Sequence, residues 1–202
     1  SFAAYNNSLA STGTTSLTVN KEDALPYYTG STFVSTATTT SSTAIVTLSA
    51  TVKDITAVFP GTDGNPGDIR NARVRFVNRD LLPAATGYYL SGWLVPGLVN
   101  TSDTKTGVVN ANWTATISGD AQQFTIGVIV DNGYYIRNSS DDNAVITVSK
   151  PLTDFVTGGG YIIMNNATGL SNPGNGKRNN FGFNIKRTKN GVLQGNIKTI
   201  IR

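Results

Sequence analysis

From Ala44 to Asp54 the chain reads AIVTLSATVKD, with Ala44, Val46, Leu48, Ala50 and Val52 alternating with Ile45, Thr47, Ser49 and Thr51. In extended backbone, successive side chains point to opposite sides, so a period of two separates these sets onto two faces. One face is wholly apolar and the other mostly hydroxyl, as expected of a strand half buried against a core. Related patterns recur. Arg73 and Arg75 oppose Val74 and Phe76, Gln123 to Asp131 is a dense apolar strand, and Ala144 to Lys150 (AVITVSK) is another. Tyr27 to Val34, Tyr88 to Val99 and Val108 to Ile117 read as further strand regions, and Thr15 to Val19 as the first. Turn residues punctuate them: Gly30-Ser31, Pro60 to Asp68 (PGTDGNPGD), Pro96-Gly97 and Asn132-Gly133. About eight or nine strands are expected between residues 13 and 150, which is the pattern of an antiparallel β-sandwich. No stretch carries a convincing helical period, which argues against parallel βαβ folds.

Composition agrees and narrows function. The 202 residues include 28 Thr and 16 Ser, and charged residues make up only 14%, against roughly 25% in an average soluble domain. Hydroxyl-rich, β-branched chains fit a pleated, half-buried surface. There is no Cys, so no disulfide supplements the core, and no His. Those absences remove thiol nucleophiles, the commonest metal ligand, the commonest neutral-pH base and any Ser-His-Asp triad within the chain. Glu22-Asp23 and Asp141-Asp142 are adjacent pairs whose members point to opposite faces of a strand, which does not suit acid/base work. The chain is therefore expected not to be an enzyme and to require no cofactor.

Three segments are expected: a polar arm or linker at 1–12, the sandwich at 13–150, and a smaller β-rich module at 151–202. Pro151 marks the last boundary, followed by Gly158-Gly159-Gly160 and by strands at Phe181 to Arg187 and Val192 to Ile201. Charge divides at the same place. Residues 1–154 hold nine basic and all twelve acidic residues, whereas 155–202 hold seven basic residues and no acidic one. The net charges are −3 and +7. The basic module reads either as a solvated face or as a site for an anionic polymer or the acidic part of a neighbouring copy.

Several stretches carry a resemblance: Val19 to Ala24 with Tyr28-Thr29-Gly30, Val46 to Ala50 with Asp54 to Val58, and Asn65 to Ala72 (NPGDIRNA). They resemble immunoglobulin-like modules of large secreted and surface multidomain proteins of bacteria. Asp154 to Tyr161 (DFVTGGGY) and Asn180 to Asn184 (NFGFN) resemble a β-rich module that often follows them. The resemblance implies an all-β chain, an immunoglobulin-like antiparallel β-sandwich followed by a smaller β-rich C-terminal module. It implies a secreted or cell-surface scaffold and carries over no catalytic residue. The trailing module usually runs well past Arg202. The resemblance thus implies either a truncation or tail strands that find partners in another chain.

Four candidate sites follow. For assembly they are Phe2, Tyr5 and Leu9 of the arm, with Lys186, Arg187, Lys189 and Lys198 of the tail. For calcium they are Asp63, Asn65 and Asp68, oxygen-bearing residues within one loop, although Asp and Asn are also ordinary turn residues. For a glycan platform they are Tyr88, Trp93, Trp113 and Tyr134, although a buried Trp is common in sandwiches. Because Tyr88-Tyr89 and Tyr134-Tyr135 are neighbours, one ring of each pair is expected to face out. For nucleic acid, Phe181, Phe183 and Ile185 alternate with polar and basic residues, and they suit a core better than base stacking. The expected partners are copies of the chain arranged head to tail, adjacent domains of the same protein, or surface glycans. Neither nucleic acid nor membrane insertion is expected. The expected role is an extracellular structural subunit of a fibre or layer, or a scaffold segment, with an adhesion or carbohydrate-binding module as the alternative.

Overall fold

The computed structural model describes residues 12–16, 21–55, 66–131, 133–169 and 174–201. The arm residues Phe2, Tyr5 and Leu9, and most of the strand expected at Thr15 to Val19, lie outside them. Twelve strands are formed by the described residues, and the chain is all-β, as expected. One layer of the sandwich contains β1 (Glu22–Tyr28), β3 (Thr43–Asp54), β6 (Asp103–Thr116) and β5 (Gly97–Asn100), paired antiparallel in that order. The other contains β4 (Val74–Asn78), β7 (Ala121–Asp131) and β9 (Ala144–Ser149), also antiparallel, with the short β2 (Phe33–Ser35) added parallel to β9.

Among the described residues, backbone pairing links the two layers through β1. Glu22 and Asp23 pair parallel with β8 (Tyr135–Arg137), while Ala24 to Tyr28 pair with β3, so β1 passes from one layer to the other. Of the turn expected at Asn132-Gly133, Asn132 lies outside the described residues; Gly133, which precedes β8, takes φ 76°, a left-handed conformation that Gly adopts without a Cβ clash.

The period-two stripe of β3 is realised in the core. Ala44, Val46, Leu48, Ala50 and Val52 are buried and form one cluster with Phe76 of β4, Ile126, Val128 and Val130 of β7, and Ile146 and Val148 of β9. Large side chains sealed in this way stabilise by about 1.5–3 kcal/mol each, so a chain with no disulfide has a continuous core instead. Tyr88 to Val99, expected as a strand region, is mostly not one. Its residues join β4 through the isolated bridges Val74–Leu94 and Val77–Tyr89, and regular pairing begins only at Gly97.

Beyond Pro151, β10 (Phe155–Met164), β11 (Lys177–Arg187) and β12 (Leu193–Ile200) form a separate antiparallel sheet in the order β10-β11-β12. It lies against the outer face of β9, whose six residues are all buried. Ala144, Ile146 and Val148 face the core. Val145 and Thr147 face the C-terminal sheet, where a Cβ placed on Gly182 would lie 2.8 Å from Val145 Cγ1 and 2.7 Å from Thr147 Oγ1. Strand β9 is thus a shared middle layer, which explains its nearly unbroken apolar sequence.

Candidate functional site

The C-terminal sheet has two unlike faces, and its register defines both. On β11 the side chains of Asn180, Asn184 and Lys186, with Gly182 between them, point toward the sandwich. Asn180 Nδ2 donates to the Asn143 carbonyl at 3.0 Å, and Thr147 Oγ1 donates to the Gly158 carbonyl at 3.4 Å. Three ion pairs close the rim: Lys186–Asp120 at 3.2 Å, Lys177–Asp141 at 3.3 Å, and Lys198–Asp80. Lys186 holds the Asp120 carboxyl below its usual range. Burial works to raise Asp80, but Lys198 and the Thr125 amide outweigh it and leave this carboxyl lowered as well. Exposed pairs of this kind contribute about 0.2–1 kcal/mol each. They orient the sheet more than they hold it.

The other face is apolar and open. Phe181, Phe183 and Ile185 of β11 share it with Val156, Gly158, Gly160 and Ile162 of β10 and with Leu193, Gly195 and Ile197 of β12. The Phe181 and Phe183 rings stack at 6.5 Å with 15° between their planes, over the bare backbone of Gly160 and Gly158. Leu193 is 66% exposed and Ile197 72%. Around Gly195, the side chains of Phe183, Ile185, Leu193 and Ile197 line a shallow apolar depression. A Cβ on Gly195 would meet the Asn184 carbonyl oxygen at 2.1 Å, so only glycine permits this approach of β12 to β11. No strand among the described residues pairs with the outer edge of β10 or of β12.

The residues singled out from the sequence fall into distinct places. Lys186 and Lys198 are engaged within the chain, whereas Arg187 and Lys189 are exposed beside the open face and make no ion pair among the described residues. Asp63 and Asn65 lie outside the described residues. Asp68 caps a short 3-10 turn at Ile69–Asn71 and is bonded to Arg70, whose side chain lowers its pKa. No group of three or more acidic residues among those described converges on a metal position.

The four glycan candidates do not form one platform. Tyr88 is 3% exposed and Trp113 packs edge-on against Phe124 at 5.0 Å. Tyr134 packs edge-on against Tyr135, and Trp93 stands over Arg75. The neighbour rule holds for both tyrosine pairs: Tyr89 and Tyr134 are exposed while Tyr88 and Tyr135 are buried. Burial, followed by the hydrogen bond to Asp54, raises the Tyr135 phenol well above its usual pKa. The sequence did not reveal the partnership of Arg75 with Tyr89 and Trp93, because it depends on the bridges that bring 88–94 alongside β4.

Compared with family models, curated proteins and solved structures, the chain matches none.

Proposed function

We propose that this chain is a non-catalytic extracellular structural module, a subunit that self-assembles into a surface fibre or layer. The observation that carries the reading is the open apolar face of the C-terminal sheet, flanked by two edges with which no strand among the described residues pairs. Exposed apolar sheet faces and free edges are sticky and are normally covered or blunted. The occupant that fits best is the N-terminal segment of a second copy. Residues 1–20 carry no charge and supply Phe2, Tyr5, Leu9, Leu17 and Val19. Such a strand would meet the cations Arg187 and Lys189 without desolvating an ion pair. Main-chain bonds to the β12 edge would supply affinity, and pockets such as the one at Gly195 would select side chains. A contact between unlike surfaces does not close on itself and propagates as a filament. Complete absence of His and Cys supports the non-catalytic part of the reading.

The test is electron microscopy and light scattering of the purified chain beside two variants. One lacks residues 1–12, and the other carries Leu193→Lys with Ile197→Lys. Filaments or large oligomers are expected from the parent alone. A monodisperse monomer at about 100 μM parent chain sinks the proposal, as does undiminished assembly of both variants. The alternative reading, an adhesion or carbohydrate-binding module, has its own support in the arginine held between Tyr89 and Trp93.

A further inference from the structure

Arg75 projects from the outer face of β4, opposite the core residues Val74 and Phe76. Its guanidinium carbon lies 4.3 Å from the centroid of the Tyr89 ring and 4.3 Å from that of Trp93. The two rings therefore clamp the planar cation. Both remain open to solvent, Tyr89 at 50% and Trp93 at 44% exposure. Among the described residues Arg75 takes part in no ion pair and its side chain in no hydrogen bond. Of its three nitrogens only Nε is buried without a partner. The terminal pair, Nη1 and Nη2, makes no hydrogen bond among the described residues.

The partners the described residues give this guanidinium are thus two aromatic rings. A planar fork with both terminal nitrogens free is the geometry that grips a carboxylate bidentately. Clamping by the rings fixes its plane in advance, so little side-chain freedom is left to lose on binding. The rings also add a requirement that a lone cation would not. Exposed Trp and Tyr rings offer apolar stacking surfaces to whatever the carboxylate is attached to.

We infer that Arg75, Tyr89 and Trp93 form a binding site for a carboxylate-bearing sugar, the acidic units of an anionic polysaccharide. In a uronic acid the carboxylate sits directly on the pyranose ring. When the carboxylate meets the fork, the sugar's C–H face reaches the aromatic rings flanking it. An Asp or Glu side chain of a peptide engages the fork but leaves the rings wet. The site lies on the sandwich, away from the open apolar face, and stands whether or not the chain polymerises.

The experiment is a titration of the full chain with oligogalacturonide, followed by intrinsic Trp fluorescence and calorimetry at low salt. Three comparison ligands are the fully methyl-esterified oligomer, a neutral galactan oligomer and an oligoglutamate of equal charge. Binding in the range of about 0.1–1 mM is expected for the acid oligomer, with loss on esterification and none for the neutral sugar. Arg75→Lys, which keeps charge but not the flat fork, should weaken binding about tenfold. Trp93→Leu should weaken it by a similar factor. Equal binding of the neutral or esterified sugar overturns the role of the carboxylate. Equal binding of oligoglutamate overturns the role of the sugar ring. Unchanged affinity in Arg75→Lys places the site elsewhere, and no binding at 5 mM oligomer (roughly −3 kcal/mol) ends the inference. The ligand comparisons use the parent protein, so they remain decisive if a variant fails to fold.

Discussion

Gly127 shows how much a single position in this sandwich can be asked to do. It sits in the middle of β7, where a period-two reading expects a side chain. A Cβ there would lie 2.2 Å from Arg79 Nε and 2.9 Å from Asn143 Oδ1. Arg79 cannot easily retreat, because its Nη1 donates to the Tyr88 hydroxyl at 3.0 Å and its Nη2 to Asn138. Gly127→Ala is therefore expected to destabilise by about 1–3 kcal/mol, the usual cost of overpacking, seen as a lower urea midpoint. Gly119→Ala is the control. Nothing lies within 4 Å of its Cβ position, so a change within about 0.5 kcal/mol is expected. Equal effects at the two positions would refute the steric account. The sequence shows that Gly127 interrupts an apolar run. It does not show why, because Arg79 arrives from 48 residues away. The tyrosine pairs are the opposite case: which ring of each pair faces water depended on the core, but that one would do so followed from strand geometry alone.

Strands were legible to the extent that their partners made them regular. The stripe in β3 needed only its own alternation, and its burial alternates almost without exception. Tyr88 to Val99 is also dense in apolar residues, yet Gly92 and Pro96 interrupt it, and before Gly97 it makes only two isolated bridges against β4 among the described residues. Strand β9 lies between these cases. Its dense apolar sequence marks double-sided burial, but only the structure identifies what covers the second side. Gly182 is the contact that tests this. A methyl there would press on Thr147 Oγ1 and Val145 Cγ1 and lift the C-terminal sheet from β9. Gly182→Ala should thus speed amide exchange through β10, β11 and β12 while β3 and β6 keep their protection, since local opening reports local packing. A uniform loss of protection would mean that the two sheets fold as one unit.

Across the whole molecule, the charge split acquires a role that the sequence left open. The −3 and +7 portions meet within one chain through Lys177–Asp141, Lys186–Asp120 and Lys198–Asp80. Asp120 and Asp80 have lowered pKa values in the folded chain. Their contribution is present above the ordinary Asp value of 3.8 and is lost as pH falls through the lowered folded values. Acidification below about pH 4 should therefore loosen the C-terminal sheet, measured as faster proteolysis within 155–201. One molar salt at neutral pH should do less, because it only partly screens ion pairs in direct contact, whereas protonation removes the carboxylate charge altogether. With those three lysines engaged in cis, fewer unlike charges are left to drive association of copies, Arg187 and Lys189 among them. Assembly through the open face of Phe183, Ile185, Leu193 and Ile197 would instead be apolar. It should strengthen in sulfate, which favours apolar burial, whereas a head-to-tail contact between the acidic and basic portions would dissolve. Light scattering across a sulfate series separates the two, and dissociation on adding sulfate would return the interface to the charged rim.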